Sequence, residues 1–233
     1  MVAMRNPLAC DACPVRDRAA CSALDVEQRH DLQRIGRTVR LKRGETLFHA
    51  GDEAPACATL ISGALKISSL DAEGTERILS LVHPAGFVGE MFAPVAHHDV
   101  TAIADSRLCV FPADKYEAVV DRYPRLGKAL LRRSSEGLFA SRELIDLMGR
   151  RTALQRVAGF LKAMADAAST SQCHPAHRFD LPLTRGEMAG MLGLSIETVS
   201  RQLTRLEKDR VIAREGARGI RLADAARLGN LAG

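Results

Sequence analysis

Three of the six cysteines of this chain lie close together in the segment CDACPVRDRAAC at residues 10–21. Cys10 and Cys13 have the C-x2-C spacing with which two thiolates bind one metal centre from a tight turn, and Cys21 can reach the same centre from the next loop. Three thiolates need a fourth ligand. The candidates are the remaining cysteines, Cys57, Cys109 and Cys173. Spacing alone does not choose among them, and reactive thiols without a metal, or an adventitious zinc ion, remain alternatives.

A second set of residues with recognisable chemistry lies in LTRGEMAGMLGLSIETVSRQLTRLEKDR, near the carboxyl end. Thr184 and Glu187 have the spacing of a capping box, which marks the start of a helix. Gly193 permits a left-handed turn, and a second helix is predicted from Ile196 to Lys208. Two helices joined by a tight glycine turn are typical of the helix-turn-helix, which places its second helix in the major groove of double-stranded DNA.

The exposed side of this second helix is predicted to carry Glu197, Ser200 and Arg201. A guanidinium binds guanine through O6 and N7, and a carboxylate accepts a hydrogen bond from cytosine N4, so these residues are candidates for reading bases. The alternative is a solvated face with an ion pair between Glu197 and Arg201. The candidates for contacting DNA phosphates are Thr184, Arg185, Arg205, Arg214 and Arg218.

The chain before these helices is predicted to consist mainly of strands. A short helix comes first, from about Val26 to Gln33, with Val26, Leu32 and Ile35 as its apolar positions. Short β-branched runs then alternate with glycine turns between residues 38 and 112. Many short strands at such intervals indicate an antiparallel sandwich or barrel.

A long helix is predicted to follow Pro124 and to extend to about Met148. Leu131, Leu138 and Ile145 recur at seven-residue steps, which predicts an apolar stripe along this helix. The stripe either packs within its own domain or forms the seam of a homodimer. The later elements predicted are a helix at 156–167, a polar linker or exposed hairpin at 168–180, and a β-hairpin in REGARGIRL.

Length and composition agree with a globular protein that binds an anionic partner. The 233 residues are enough for two domains, and the net charge is +5. No apolar run has the length of a transmembrane span, and MVAMRNPLAC lacks the pattern of a signal peptide. We therefore expect a cytoplasmic protein with no membrane partner, in which the cysteines are reduced thiols or metal ligands rather than disulfides.

The order of these elements resembles the CRP/FNR transcription regulators. IETVSRQLTRL resembles their recognition helix, and GETLFHAGDEA and LISGALKI resemble strands of their sensor domain. The resemblance, which begins at Cys10, implies an α+β fold with an antiparallel β-roll (a cyclic-nucleotide-binding-like jelly roll), a long dimerisation helix and a C-terminal winged helix-turn-helix. The implied domains are a cysteine segment (1–25), a β-roll sensor domain (26–123), a dimerisation helix (124–149) and a DNA-binding domain (150–233).

The resemblance also implies how DNA and RNA polymerase are contacted. Glu197, Ser200 and Arg201 match the E-x-x-S-R triplet with which FNR-type members read inverted repeats of the type TTGAT…ATCAA. Ile196 stands where the cyclic-AMP receptor protein has a further base-reading arginine, which argues against that protein's TGTGA half-site. DAEGTE, at residues 71–76, resembles the surface that FNR-type activators present to RNA polymerase.

The same resemblance selects Cys109 as the fourth ligand, because in FNR proteins the distant ligand lies on a strand shortly before the segment leading to the dimerisation helix. With Cys10, Cys13 and Cys21 it resembles the ligand set of an oxygen-labile [4Fe-4S] cluster. Seven residues separate Cys13 from Cys21, as in other proteobacterial FNR-type regulators but more than in the enterobacterial member.

A cyclic nucleotide is not expected as the ligand. Gly89 and Glu90 match the family's Gly-Glu segment, but the stretch APVAHHDVTA lacks the arginine that would hold the phosphate. His97 and His98 are predicted to lie in an exposed loop rather than to bind haem or a metal.

The implied mechanism couples the cluster to dimerisation. Under low oxygen the cluster is expected to tie the cysteine segment to the β-roll and to shift packing at the long helix, so that two chains associate along Leu131, Leu138 and Ile145. Glu143 lies beside this stripe, where like charges from two chains oppose association. The alternatives are a redox or nitric-oxide sensor of the same family and, from another class, a metal-dependent or iron-sulfur enzyme. No second constellation of acid, base or nucleophile supports an enzyme.

Overall fold

A computed structural model of the chain describes residues 8–53, 56–150, 152–169 and 174–233. Cys173, one of the candidate fourth ligands, lies outside the described residues. The chain divides into two compact units, of which the first ends at Ala140 and the second begins at Ser141. In the described part of the chain, none of the helices has both the length and the apolar character needed to cross a bilayer.

The described residues of the first unit form two antiparallel four-stranded sheets. The strands are β1 (Arg37–Leu41), β2 (Thr46–Phe48), β3 (Ala56–Ser62), β4 (Leu65–Leu70), β5 (Glu76–Val82), β6 (Phe87–Val88), β7 (Asp99–Ala102) and β8 (Ser106–Pro112). One sheet has the order β1-β8-β3-β6 and the other β2-β7-β4-β5. Leu60 and Leu108 from one sheet and Leu65 from the other share a buried core. The predicted antiparallel, jelly-roll-like sensor fold is therefore confirmed.

Between residue 8 and the first strand, the structure contains two short helical elements. A 3-10 helix spans Ala20–Ala23, and α1 spans Val26–Ile35. The Asp25 carboxylate caps α1 by accepting a hydrogen bond from the Gln28 amide at 2.8 Å. Leu32 is buried as predicted, but Val26 is 54% exposed. The prediction for Val26 is wrong because, at 3.6 residues per turn, six residues place it about 120° away from Leu32 around the helix.

A continuous helical connection leads out of the β-roll. α2 spans Ala113–Arg122 and α3 spans Pro124–Arg150, so the predicted long helix is present and crosses the boundary between the two units. Leu126 and Leu130, in the first turns of α3, are buried in a core that also contains Leu32 of α1 and Tyr116 of α2. Packing of this apolar face fixes the start of α3 on the β-roll unit.

The second unit contains the predicted helix-turn-helix and its wing. Its elements are α4 (Ala153–Ala168), β9 (Arg178–Asp180), α5 (Arg185–Leu192), α6 (Ile196–Lys208), β10 (Ile212–Glu215), β11 (Gly219–Leu222) and α7 (Ala225–Ala232). β10 and β11 form the predicted hairpin. The prediction of a linker or exposed hairpin over 168–180 is wrong at its end, because β9 pairs with β11 and its Phe179 is buried. Pairing with a distant strand stabilises this three-residue segment, and local sequence carries no signal of it.

Gly89 follows β6 at a place where backbone geometry requires glycine. Its φ is +109°, and a Cβ there would lie 2.7 Å from the Ala56 carbonyl oxygen and 2.7 Å from the Cys57 Cα. Both the left-handed backbone and the close approach of β3 therefore exclude a side chain.

Gly89→Ala is expected to lower the free energy of unfolding by about 2–4 kcal/mol, because left-handed backbone costs about 1–2 kcal/mol and crowding about 1–3 kcal/mol. Gly74→Ala is the matched control: its φ is +78°, but no atom lies within 4 Å of the added Cβ. Only the backbone cost, about 1 kcal/mol, is expected there. Urea unfolding of both variants measures the difference, and equal losses would show that the approach of β3 is unimportant.

Candidate functional site

A cavity of about 180 Å³ in the first unit is lined by four cysteines, Cys10, Cys13, Cys21 and Cys109. Cys10 and Cys13 lie on one turn, closed by a hydrogen bond of 3.3 Å from the Cys13 amide to the Cys10 carbonyl. Cys21 lies in the 3-10 helix, and Cys109 lies in the middle of β8. Three separate elements thus bring the four predicted ligands to the wall of one cavity.

Strand register explains the different positions of Cys109 and Cys57. Cys109 pairs with Thr38 of β1 and with Thr59 of β3, and both threonines also line the cavity. Cys57 lies two residues along β3, opposite Phe111, and is fully buried beneath Phe111 and Tyr116. Cys57, one of the three candidate fourth ligands, therefore does not line the cavity.

The cysteine segment is packed on the β-roll by apolar contacts of its own. Val15 and Ala19 are buried against Ile61 and Ala85, with Cys13, Cys21 and Cys109 beside them. Leu8 and Leu24 enter the core that contains Leu126. Hydrophobic burial therefore positions the cysteine segment without a contribution from a metal.

The surroundings of Cys10, Cys21 and Cys109 disfavour free thiolates. Burial raises the pKa of the Cys10 thiol, raises that of Cys21 to about 11 and raises that of Cys109. Neighbouring cysteines add to these shifts, because one thiolate repels the next. A bound metal centre would instead favour the thiolate form, because coordination removes the thiol proton.

Two further features test whether this cavity fits a tetranuclear cluster. The Nε atoms of Arg29 and Arg107 are buried without a hydrogen-bond partner, and both residues line the cavity. Unpaired buried cationic donors favour an anionic occupant. The described residues contain no group of three or more histidine, cysteine or acidic side chains drawn together around a single ion. A [4Fe-4S] cluster instead takes one thiolate on each of four irons, so thiols spread around a cavity fit it.

The cavity is connected to the start of α3 through packed side chains. Leu32 and Tyr116 line the cavity and share a core with Leu126 and Leu130 of α3. Asp31 adds a polar link, because its carboxylate accepts hydrogen bonds from the Tyr123 hydroxyl at 2.7 Å and from Arg122 at 3.2 Å. The hydrogen bond from Tyr123 is the main cause that lowers the pKa of Asp31. Sequence reasoning missed this link, because the residues lie in separate elements.

The Gly-Glu segment of the β-roll has internal partners. Glu90 hydrogen-bonds to His97, and its Oε1 lies 3.3 Å from Nδ1 of His98. Both histidines therefore have a carboxylate partner within the first unit. The hydrogen bonds with the two histidines lower the pKa of Glu90 despite the opposing effect of burial.

The three predicted base-reading residues lie on one helix of the second unit, α6. Val199, Leu203 and Leu206 form the buried side of this helix. Glu197 and Arg201 are exposed and Ser200 is half-buried. Arg201 donates to the Thr198 hydroxyl at 3.3 Å. A hydrogen bond from its own amide, followed by one from Ser195, lowers the pKa of Glu197, so its carboxylate is ionised at neutral pH.

The candidate phosphate-binding residues differ in their surroundings. Thr184, Arg185, Arg205 and Arg218 are exposed. Thr184 caps α5 together with Glu187, as predicted, and Arg185 reaches the Ser200 hydroxyl at 3.5 Å. Arg205 lies 3.8 Å from the Asp209 carboxylate. Arg214, by contrast, donates to Glu207 with its Nε at 2.8 Å, so it braces the wing against α6.

The seven-residue stripe of α3 lies on the surface of the chain. Leu131 is 67% exposed, Leu138 52% and Ile145 65%, and Glu143 is exposed beside them. Phe139, which the heptad count missed because it lies beside the stripe, is 65% exposed. The stripe is therefore not packed within its own chain, and this excludes the first of the two interpretations.

Comparisons with known proteins match the two units to two domain families. Residues 38–123 match the cyclic nucleotide-binding domain, and residues 155–231 match the Crp-like helix-turn-helix domain. The transcriptional activator protein FnrL of Cereibacter sphaeroides is 37% identical over 222 residues, which are 94% of this chain and 90% of that protein. The transcriptional activator protein Anr of Pseudomonas protegens is 31% identical over 231 residues, covering 98% and 94% of the two chains.

A solved structure shows the same architecture. FixK2 from Bradyrhizobium japonicum aligns with a TM-score of 0.78 at 25% identity, over 85% of this chain and 98% of that one. The similarity therefore extends through the β-roll, the long helix and the helix-turn-helix.

Proposed function

The chain belongs to the CRP/FNR family of DNA-binding transcription regulators, which act as dimers and are not enzymes, and we propose that it is an activator that responds to oxygen. The proposed sensor is a [4Fe-4S] cluster bound by Cys10, Cys13, Cys21 and Cys109. In low oxygen the protein forms a homodimer that binds a TTGAT…ATCAA-type inverted repeat.

One observation carries this proposal: four cysteines from three elements line a single cavity, together with two unpartnered cationic donors. Similarity to FnrL and Anr supports it, because both are transcriptional activators. A bound cluster would supply an oxygen-labile iron-sulfur core. Residues of this chain would carry the signal to α3 and bind the DNA.

The proposed response begins at the walls of the cavity. The four thiolates would hold the cluster, and the bound cluster would tie the cysteine segment to the wall that contains Leu32 and Tyr116. These side chains contact the core that seats Leu126 and Leu130, so a change at the cavity alters how the start of α3 is held. The hydrogen bond from Tyr123 to Asp31 links α1 to the residue just before α3, so the two helices respond to this change together.

Dimerisation is the proposed output of this coupling. The exposed stripe of Leu131, Leu138 and Ile145 supplies an apolar seam for a second copy of α3. A dimer can place two copies of α6 in successive major grooves, about 34 Å apart, which one chain cannot do. In each half-site, the proposed base-reading residues are Glu197, Ser200 and Arg201.

The loop at residues 71–76 is the proposed contact with RNA polymerase. The Asp71 carboxylate accepts hydrogen bonds from the amides of Glu73 at 3.2 Å and Thr75 at 2.8 Å. The loop is thus a defined turn between β4 and β5, which suits a recognition surface.

Anaerobic reconstitution with ferrous iron and sulfide tests the sensor. We expect a broad absorption band at about 400 nm, with iron and sulfide in equal amounts, that decays when air is admitted. Operator affinity, measured in parallel by mobility shift, should fall with the band. A colourless, iron-free protein would refute the cluster. Loss of binding in air that dithiothreitol alone restores would support a thiol-based redox sensor instead.

Glu143→Ala is expected to permit operator binding in air, because it removes a like-charge repulsion beside the dimer seam. A gain in aerobic affinity of about fivefold, equivalent to about 1 kcal/mol, is expected in a mobility-shift assay. Glu73→Ala removes the same charge from the β4–β5 turn and serves as the control. An unchanged oxygen response of Glu143→Ala would contradict the role of this residue.

A further inference from the structure

Buried side-chain polar atoms without a partner are concentrated at the cysteine cavity. Among the described residues there are three such atoms, and two of them are Nε of Arg29 and Nε of Arg107. The third, Oε1 of Gln202, lies in the other unit. A buried cationic donor without a partner is costly, so its presence requires an explanation.

Local structure accounts for where the two arginines lie, but it leaves their Nε atoms unsatisfied. Arg107 precedes Cys109 by two residues on β8, so both side chains project from the same face of the sheet. Arg29 lies on α1 and donates from Nη1 to the Leu24 carbonyl at 2.8 Å, which holds the guanidinium while Nε stays unpaired.

The charged side chains that line the cavity, among the described residues, are all positive. The described lining residues include three arginines but no aspartate, glutamate or histidine. The third arginine, Arg16, already has partners: it donates to the Asp17 carboxylate at 3.2 Å and to the Asp11 carbonyl at 3.2 Å. Arg29 and Arg107 are therefore the two lining arginines whose Nε is buried without a partner among the described residues.

We propose that Arg107, assisted by Arg29, is a positioning and potential-tuning residue that donates a charge-assisted hydrogen bond to the sulfur of the anionic centre held by the four cysteines. This inference rests on the proposed function. Four thiolates outweigh the 2+ charge of a [4Fe-4S] core, so the whole centre is an anion that a guanidinium stabilises. Reduction adds another negative charge, so the arginines favour the reduced form and raise the reduction potential.

The test compares substitutions at Arg107 in the full chain after anaerobic reconstitution. Arg107→Met removes both the charge and the donor at similar length, and Arg107→Lys keeps the charge without the planar fork. Arg40→Met is the matched control, because Arg40 lies directly opposite Arg107 on β1 but is exposed. The potential is measured by stepwise reduction with dithionite, followed by electron paramagnetic resonance.

Arg107→Met is expected to make reduction about tenfold less favourable, which is a potential lower by about 59 mV for a one-electron couple. Arg107→Lys should fall between this variant and the wild type, and Arg40→Met should equal the wild type. Equal potentials in Arg107→Met and the wild type would overturn the inference while leaving the cluster proposal intact. A wild-type chain that takes up no iron would refute both.

Unfolding of the metal-free chain separates this role from simple packing. The unpaired Nε contributes no hydrogen bond there, so Arg107→Met is expected to be at least as stable as the wild type in urea. A variant that is less stable without metal, with an unchanged potential when reconstituted, would show that Arg107 is a structural residue and would overturn the proposal.

Discussion

Cys109→Ser is expected to give a chain that folds but holds no cluster. Under anaerobic conditions this variant should not bind the operator. Cys109 is the one proposed ligand supplied by the β-roll, and its neighbours across the strands are Thr38 and Thr59. A hydroxyl is a poor ligand for the iron of such clusters, which are held by thiolates. Cys57 does not take its place, because it lies two residues along β3 beneath Phe111 and Tyr116.

Iron content and operator affinity measure this loss. After anaerobic reconstitution, iron should fall from about four atoms per chain to near zero, and operator affinity should fall by about tenfold or more. Cys57→Ala is the control, since it removes a buried sulfur that does not line the cavity. It should cost stability but keep the iron. A Cys109→Ser protein that retains the band at about 400 nm would show that another residue supplies the fourth ligand.

Arg201→Ala is expected to weaken operator binding by about 5- to 150-fold for each half-site, equivalent to about 1–3 kcal/mol. The half-site TTGAT contains a single guanine, and a guanidinium prefers guanine O6 and N7. The exposed guanidinium of Arg201 touches only the Thr198 hydroxyl among its described contacts, so it is available to a base. Replacing that guanine should therefore weaken binding of the wild type strongly and binding of Arg201→Ala little.

Arg218→Ala distinguishes a phosphate contact from base reading. Arg218 is exposed in the turn of the wing, between β10 and β11. Its loss should weaken binding equally on all sequences and reduce the slope of log affinity against log salt by about 0.9 for each phosphate contact removed. If Arg201→Ala instead reduced affinity equally on matched and altered operators, Arg201 would not read a base.

Local signals in the sequence were sufficient to predict the helix-turn-helix. The capping box of Thr184 and Glu187 is present, and Gly193 has a φ of +60° at the end of α5. Each of these features depends on residues within four positions of one another, so sequence spacing describes them well. The same holds for the turn that joins Cys10 to Cys13.

The spacing of residues in the sequence could not predict contacts between distant elements. Spacing left Cys57, Cys109 and Cys173 as equal candidates, and it was strand register that placed Cys109 beside the cavity and Cys57 beneath Phe111. The two-residue separation of Arg107 from Cys109 places both side chains on one face of the sheet. It indicates a role for Arg107 only once the cavity on that face is known. β9 was missed for a similar reason, because its partner β11 lies about forty residues away.

By itself the sequence determined the order of elements, the recognition helix, the cysteine pair on its turn and the seven-residue stripe of α3. These follow from periodicity, capping and turn chemistry, which act over a few residues. The tertiary structure alone decided that Leu131, Leu138 and Ile145 stay exposed while Leu126 and Leu130 are buried, and that four thiols and three arginines line one cavity. Those outcomes depend on which surfaces meet after folding, and burial between distant segments is not encoded in the spacing of any one of them.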